Sequence, residues 1–239
     1  MPARPKVAIA AVIGLLFTSL ATLPAQAGTP PTSDEYADIV AAFASEFPQP
    51  QLTAKEGSAN WNEQNVRLAE YWSSAPWDAA WGQWGYTLLD SGSGLTVGED
   101  GILRATWWGV VEGSAGLDGI EAAMPGLVPR DEASRSGVGI LSNSCRSIGS
   151  GYHCLSNASS TVSASYRWDG GGTITGSVRL AQPGVGQPCS GSPQLAATPF
   201  TNLSSGNTAI VYAASNSNSQ FANSFWTGTG LRSRHCAVL

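Results

Sequence analysis

Histidine is almost missing from this chain of 239 residues: His153 and His235 are the only two, too few to supply the usual nitrogen ligands of a transition-metal site. There is no Gly-x-Ser-x-Gly elbow, and the one acid in the half that holds both histidines is Asp169, so the pattern marks no hydrolytic triad. No internal repeat at a period of roughly 20–50 residues is present, which excludes a solenoid or propeller reading. Basic residues are outnumbered, with 12 Lys and Arg against 17 Asp and Glu, so a nucleic-acid partner held through phosphate contacts is not expected. No cofactor, metal or catalytic residue is therefore assigned.

Only one long apolar run is there, and it stands at the start. Arg4 and Lys6 precede Val7–Leu20, and Ala25-Gln26-Ala27 supplies the small-x-small pattern at which signal peptidase cuts. The run is shorter than the roughly 18 uncharged residues that a membrane span needs, so residues 1–27 read as a signal peptide. The expected product is secreted and extracellular, begins at Gly28 and carries no transmembrane anchor. Its oligomeric state is left open.

What is abundant is tryptophan, and it is unevenly placed. Seven of the nine lie between Trp61 and Trp108. Charge is uneven too: Gly28–Glu132 carries 16 acidic residues against Lys55, Arg67, Arg104 and Arg130, whereas Ala133–Leu239 carries Asp169 against six arginines. The halves should attract one another. The expected organisation is an acidic, Trp-rich segment over 28–128, an exposed linker loop over 129–137 and a β-rich segment over 138–239, forming one compact unit.

Local patterns give the elements. Thr32-x-x-Glu35 is a capping box, and Tyr36, Ile39, Val40, Phe43 and Phe47 share one helical face before Pro48. A second helix is expected from Asn60 to Ser73 with Trp61, Leu68 and Trp72 inward, and a third begins after Pro76 with Trp77, Trp81 and Trp84 at i, i+4 and i+7. From Tyr86 the texture is β, in pieces separated by the turn-like SGSG and GEDG, and a helical turn or two is expected over Leu117–Met124. Val162–Trp168 and Ile174–Leu180 alternate apolar with polar around Asp169-Gly-Gly-Gly172 and are expected to pair as a hairpin with one wet face. Ala209–Ala213, Phe221–Trp226 and Gly230–Val238 are further strands.

An even cysteine count in an exported chain implies disulfides, and the pairing Cys145–Cys154 with Cys189–Cys236 avoids crossing. The expected fold is α+β, with Trp-rich N-terminal helices packed on a predominantly antiparallel β region that two disulfides clamp. The expected function is non-catalytic binding of a cell-wall or extracellular polysaccharide by exposed tryptophans, with Trp77, Trp81, Trp84, Trp107 and Trp108 as contact residues. One alternative is a secreted glycan hydrolase using carboxylates among Glu63, Glu70, Asp78, Glu99 and Asp100. A membrane-active or protein-partner-binding secreted protein is the other.

Overall fold

The computed structural model describes residues 42, 45–83, 85–113, 142–158, 160–184, 186–217 and 219–239. The expected signal peptide, most of the expected Tyr36–Phe47 helix, Trp84, the helical turn expected over Leu117–Met124 and the loop expected over 129–137 lie outside the described residues.

Ser58 starts the first helix, α1 (Ala59–Ser74), by accepting the backbone N–H of Trp61 on its hydroxyl at 3.2 Å. Residues at i, i+4, i+7 and i+11 then share a face, so Trp61, Asn65, Leu68 and Trp72 are buried. Ala75 and Pro76 break the chain, and α2 (Trp77–Gln83) follows at once. Among the described residues no helix is long and apolar enough to cross a membrane.

Strand β1 (Tyr86–Val97) runs straight through the SGSG stretch, which was expected to turn. Gly92 serves close approach instead: a Cβ there would sit 2.7 Å from the indole nitrogen of Trp108. The GEDG stretch does turn, leading into β2 (Leu103–Gly113). The chain then contributes β3 (Ser142–Ile148), β4 (Gly151–Ala158), β5 (Thr161–Trp168), β6 (Ile174–Ala181), β7 (Gln194–Ala197), β8 (Thr201–Leu203), β9 (Thr208–Ala214), β10 (Gln220–Thr227) and β11 (Gly230–Val238).

These strands build two antiparallel sheets. One has the order β1-β2-β9-β5-β4-β3, the other β11-β10-β6-β7 with β8 also on β6. The expected hairpin of β5 with β6 does not form, because the chain passes from one sheet to the other between Trp168 and Ile174. The alternation correctly names the buried faces, but the two faces meet across the sandwich instead of side by side. Val162, Ala164 and Tyr166 of β5 thus share a core with Val178 and Leu180 of β6, and with Phe221 and Phe225 of β10.

The helices cover the other face of the six-stranded sheet. There Trp61, Trp72, Trp77, Trp81, Tyr86, Trp107 and Tyr212 form one buried aromatic layer. Strand β9 stops pairing with β2 at Thr106, and α1 takes over: Asn65 accepts from the N–H of Ala105 at 2.6 Å, and the Trp61 indole donates to the Leu103 carbonyl at 2.7 Å. Ion pairs stay within each half, Arg104 with Glu56 and Asp100, and Arg167 with Asp169. Among the described residues the halves are joined by strand interleaving, β9 lying between β2 and β5, and by hydrogen bonds to Glu56 and Glu99 from residues of the second half.

Both disulfides connect as expected. Cys145–Cys154 links directly opposed residues of β3 and β4, whereas Cys189–Cys236 straps the connector between β6 and β7 to β11. Chain-entropy reasoning gives a longer closed loop the larger effect, about 4 kcal/mol for the second bridge against about 2.5 for the first. Serine replacement of Cys189 and Cys236 should therefore lower the denaturation midpoint more than replacement of Cys145 and Cys154, and the reverse order in urea titrations would contradict this.

Candidate functional site

The expected tryptophan surface is mostly interior. Trp77, Trp81 and Trp107 are 6%, 1% and 1% exposed, with Trp81 stacked on Trp107 at 6.4 Å and Trp77 tilted against it at 5.5 Å. Trp77 donates its indole N–H to the Trp72 carbonyl. A single aromatic layer shared between two helices and one sheet holds more indoles than a thin helix-on-sheet contact was expected to hide, so these three offer no sugar-stacking face. Trp108 points the other way, as adjacent strand residues must, and is half-buried against the inter-sheet core. Trp84 lies outside the described residues. Replacing Trp77 or Trp81 by Ala should cost roughly 3–5 kcal/mol of stability, because each leaves a large cavity. An unchanged melting temperature in either variant would restore the surface reading.

The acidic half does not assemble a carboxylate pair from its named candidates. Glu63, Glu70 and Asp78 are exposed on helices. Burial works to raise the Asp100 carboxyl, but hydrogen bonds from Arg104 and from the Ile102 N–H outweigh it and hold Asp100 below its usual range. Glu99 is held low chiefly by the N–H of Gln194, and also by the Ser192 hydroxyl and the more distant charge of Arg179. Both carboxylates are occupied in binding turns and strands together.

The side chains that do converge come from the histidines. Cys154 faces the helix side, towards Cys145, so its neighbour His153 must face the opposing sheet; Cys236 faces outward to Cys189, so His235 must face inward. The disulfides thus turn both imidazoles into the seam between the β3–β4 edge and β11. There His153 Nε2 lies 2.7 Å from the Ser233 hydroxyl, and His235 Nε2 lies 2.9 Å from the Ser144 hydroxyl. Tyr166 packs its ring edge-on to His153 at 4.8 Å and stacks on Phe225.

Asn223 of β10 completes the seam. Its Nδ2 donates to the carbonyls of Cys154 at 2.9 Å and Ser165 at 2.6 Å, which fixes the amide beside His153, while Asn223 Oδ1 and His153 Nδ1 make no hydrogen bond among the described residues. With Nε2 engaged by Ser233, the ring nitrogen facing Asn223 is Nδ1. An amide oxygen only accepts, so a neighbouring Asn223 Oδ1 favours the tautomer with the proton on Nδ1, in which Nε2 accepts from the Ser233 hydroxyl. Burial pushes the imidazole of His153 down to about 4, with Asn223 opposing and His235 adding to the shift. His235 is also lowered, by burial first and by the charge of Arg146. Burial raises the Tyr166 phenol, against the opposing influence of Arg232. Among the described residues no group of three or more His, Cys, Asp or Glu is placed to hold a metal ion.

Sequence reasoning singled out neither Ser144, Ser233 nor Asn223. The signal that finds them is parity: each histidine lies one residue from a disulfide cysteine and must point away from it. Comparison with protein-family models finds none that matches the chain, and comparison with curated proteins finds no match.

The buried imidazole fixes a pH dependence. An unfolded chain protonates His153 near its ordinary value of 6.5, whereas the folded chain does so only near 4. The unfolded state therefore binds the extra proton first, and stability is lost as pH falls from about 6.5 towards 4, by on the order of 3 kcal/mol. Urea midpoints at pH 7.0, 6.0 and 5.0 should fall in that order, and a His153→Gln variant should flatten the slope. A wild-type midpoint constant across this interval contradicts the assignment.

Proposed function

We propose that this chain is a secreted binding protein for an anionic cell-wall or extracellular polysaccharide, and that arginines stacked on aromatic rings make the contact. One observation carries the reading. Three guanidinium groups lie over rings: Arg179 over Trp226 at 4.4 Å, Arg232 over Trp168 at 5.0 Å and Arg167 over Tyr152 at 5.7 Å.

Strand alternation sets Tyr152 and Arg167 on the helix side of the six-stranded sheet, and Arg179 and Trp226 on the outward face of the second sheet. The start of β4 is paired with the end of β5, through Gly151 with Trp168 and Tyr152 with Arg167. The end of β10 pairs with the starts of β6 and β11, through Thr227 with Gly176 and Trp226 with Leu231. Stacking holds a guanidinium flat and leaves its N–H edge free for carboxylate, phosphate or sulfate oxygens. Arg167 is committed to Asp169 at 2.7 Å, while Arg179 and Arg232 have no salt bridge among the described residues. The leader at 1–27 and the two disulfides are compatible with an extracellular setting.

Polygalacturonate, an acidic glycan, tests the reading against neutral dextran. The acidic polymer should bind with an affinity that falls as salt rises, and dextran should not bind. An Arg179→Ala, Arg232→Ala double variant should weaken binding by roughly 1–3 kcal/mol at an unchanged melting temperature. Equal binding of both polymers, or by both proteins, would remove the arginine surface from the account.

A further inference from the structure

We propose that Ser233 is an acyl-accepting nucleophile, with His153 as its general base and Asn223 as the positioning residue behind the base. The proposal stands on residues other than the stacked arginines. It takes the seam beyond a packing role.

The geometry has three parts. Ser233 Oγ is 2.7 Å from His153 Nε2, within reach for direct proton transfer. Asn223 is itself fixed by two backbone carbonyls, so the amide group beside the imidazole turns its oxygen, not its N–H groups, towards the ring. The base is buried and neutral at ordinary pH, so Nε2 keeps a free lone pair. Nucleophile and base are thus in direct contact, with the amide of Asn223 beside the base. The twin pair has no such support: His235 is acted on by the backbone of Ser144 itself and by Arg146.

Access comes from the strand's position. β11 is the outermost strand of its sheet, and Ser233 is partly exposed on it although His153 is wholly buried. A substrate needs to reach only the hydroxyl. Tyr166 packs edge-on against the base and is itself backed by Phe225, which favours a short acyl group, such as the acetyl ester of a sugar hydroxyl.

The step balances without a further reagent. Ser233 Oγ forms a bond to the ester carbonyl carbon as its proton passes to His153 Nε2. The C–O bond to the leaving alcohol then breaks, and that alcohol takes the proton from Nε2. Water repeats the sequence on the acyl-serine, releasing the carboxylic acid and restoring the hydroxyl.

The test uses the intact, oxidised protein and a fluorophosphonate probe, read by mass spectrometry of the whole chain and of its peptides. The expected result is a single adduct on the peptide holding Ser233, absent from the urea-unfolded protein and from Ser233→Ala, and undiminished in Ser144→Ala. Its rate should be flat from pH 8 to about 5 and drop at lower pH, where Nε2 becomes protonated. Asn223→Asp should move that midpoint upward, since a carboxylate favours the imidazolium, whereas a purely structural Asn would leave it in place. No adduct, an adduct on Ser144, labelling that survives in Ser233→Ala, or a midpoint unmoved in Asn223→Asp overturns the proposal. Binding of polygalacturonate is measured separately, so either idea can fail alone.

Discussion

Strand β9 is the constraint on which the other elements depend. All seven residues from Thr208 to Ala214 are buried, because β9 is flanked by β2 and β5 in its own sheet and covered on both faces. Ile210, Tyr212 and Ala214 meet the helices, while Ala209, Val211 and Ala213 meet the second sheet. Such a strand reads as a continuous apolar run instead of an alternating one. It also fixes the order of assembly, for β2 has no inner neighbour until the distant β9 segment arrives. Pairings of such sequence separation carry a high loop-closure cost, and folding should be slow compared with a helical domain of similar size.

Where β9 ends, α1 substitutes for it. Asn65 and Trp61 satisfy the backbone of β2 at Ala105 and Leu103, so the helix is docked by hydrogen bonds as well as by its apolar face. Beside them Arg104 is wholly buried, yet its guanidinium meets Asp100 through two bonds of 2.8 and 2.7 Å and Glu56 at 3.1 Å. Removing one partner of such a buried group is far more damaging than the net worth of the pair, because the charge would be left without compensation. Glu56 continues the link, accepting from Ser215 and from the Asn216 N–H just after β9. The same strand is thereby tied to the helical segment at its end as well as along its faces.

Local features were legible in the sequence and relations between strands were not. The α1 face could be read from Trp61, Leu68 and Trp72, although the cap is Ser58 rather than Asn60, a shift of the kind that helix ends commonly show. Both disulfides followed from count and loop length. The β5 and β6 patterns revealed their buried faces, but alternation says only which side is dry; it does not distinguish a neighbour in the sheet from a partner stacked across the core. The tryptophans misled for a related reason. Residue type reports how much apolar area needs covering, and here α1, α2, β2 and Tyr212 pool enough surface to cover Trp77, Trp81 and Trp107 together. Ser233 and Asn223 carried no local signal because the seam exists only once β4 and β11 face one another.

That seam shows how scarcity and chemistry are connected in this chain. Two histidines are few, yet each is coupled to a disulfide that sets its direction, so neither depends on a histidine-rich motif to meet a partner. The cysteines bond on the outer surfaces of the sandwich, and strand alternation sends the adjacent imidazoles inward, where burial keeps them neutral. A neutral imidazole protonated on Nδ1 is left with Nε2 as its acceptor. Hydroxyl groups suit that acceptor, and Ser233 and Ser144 provide them from the facing sheets. The polar contact that closes the edge of the sandwich is therefore also an arrangement in which a serine hydroxyl lies against an imidazole nitrogen.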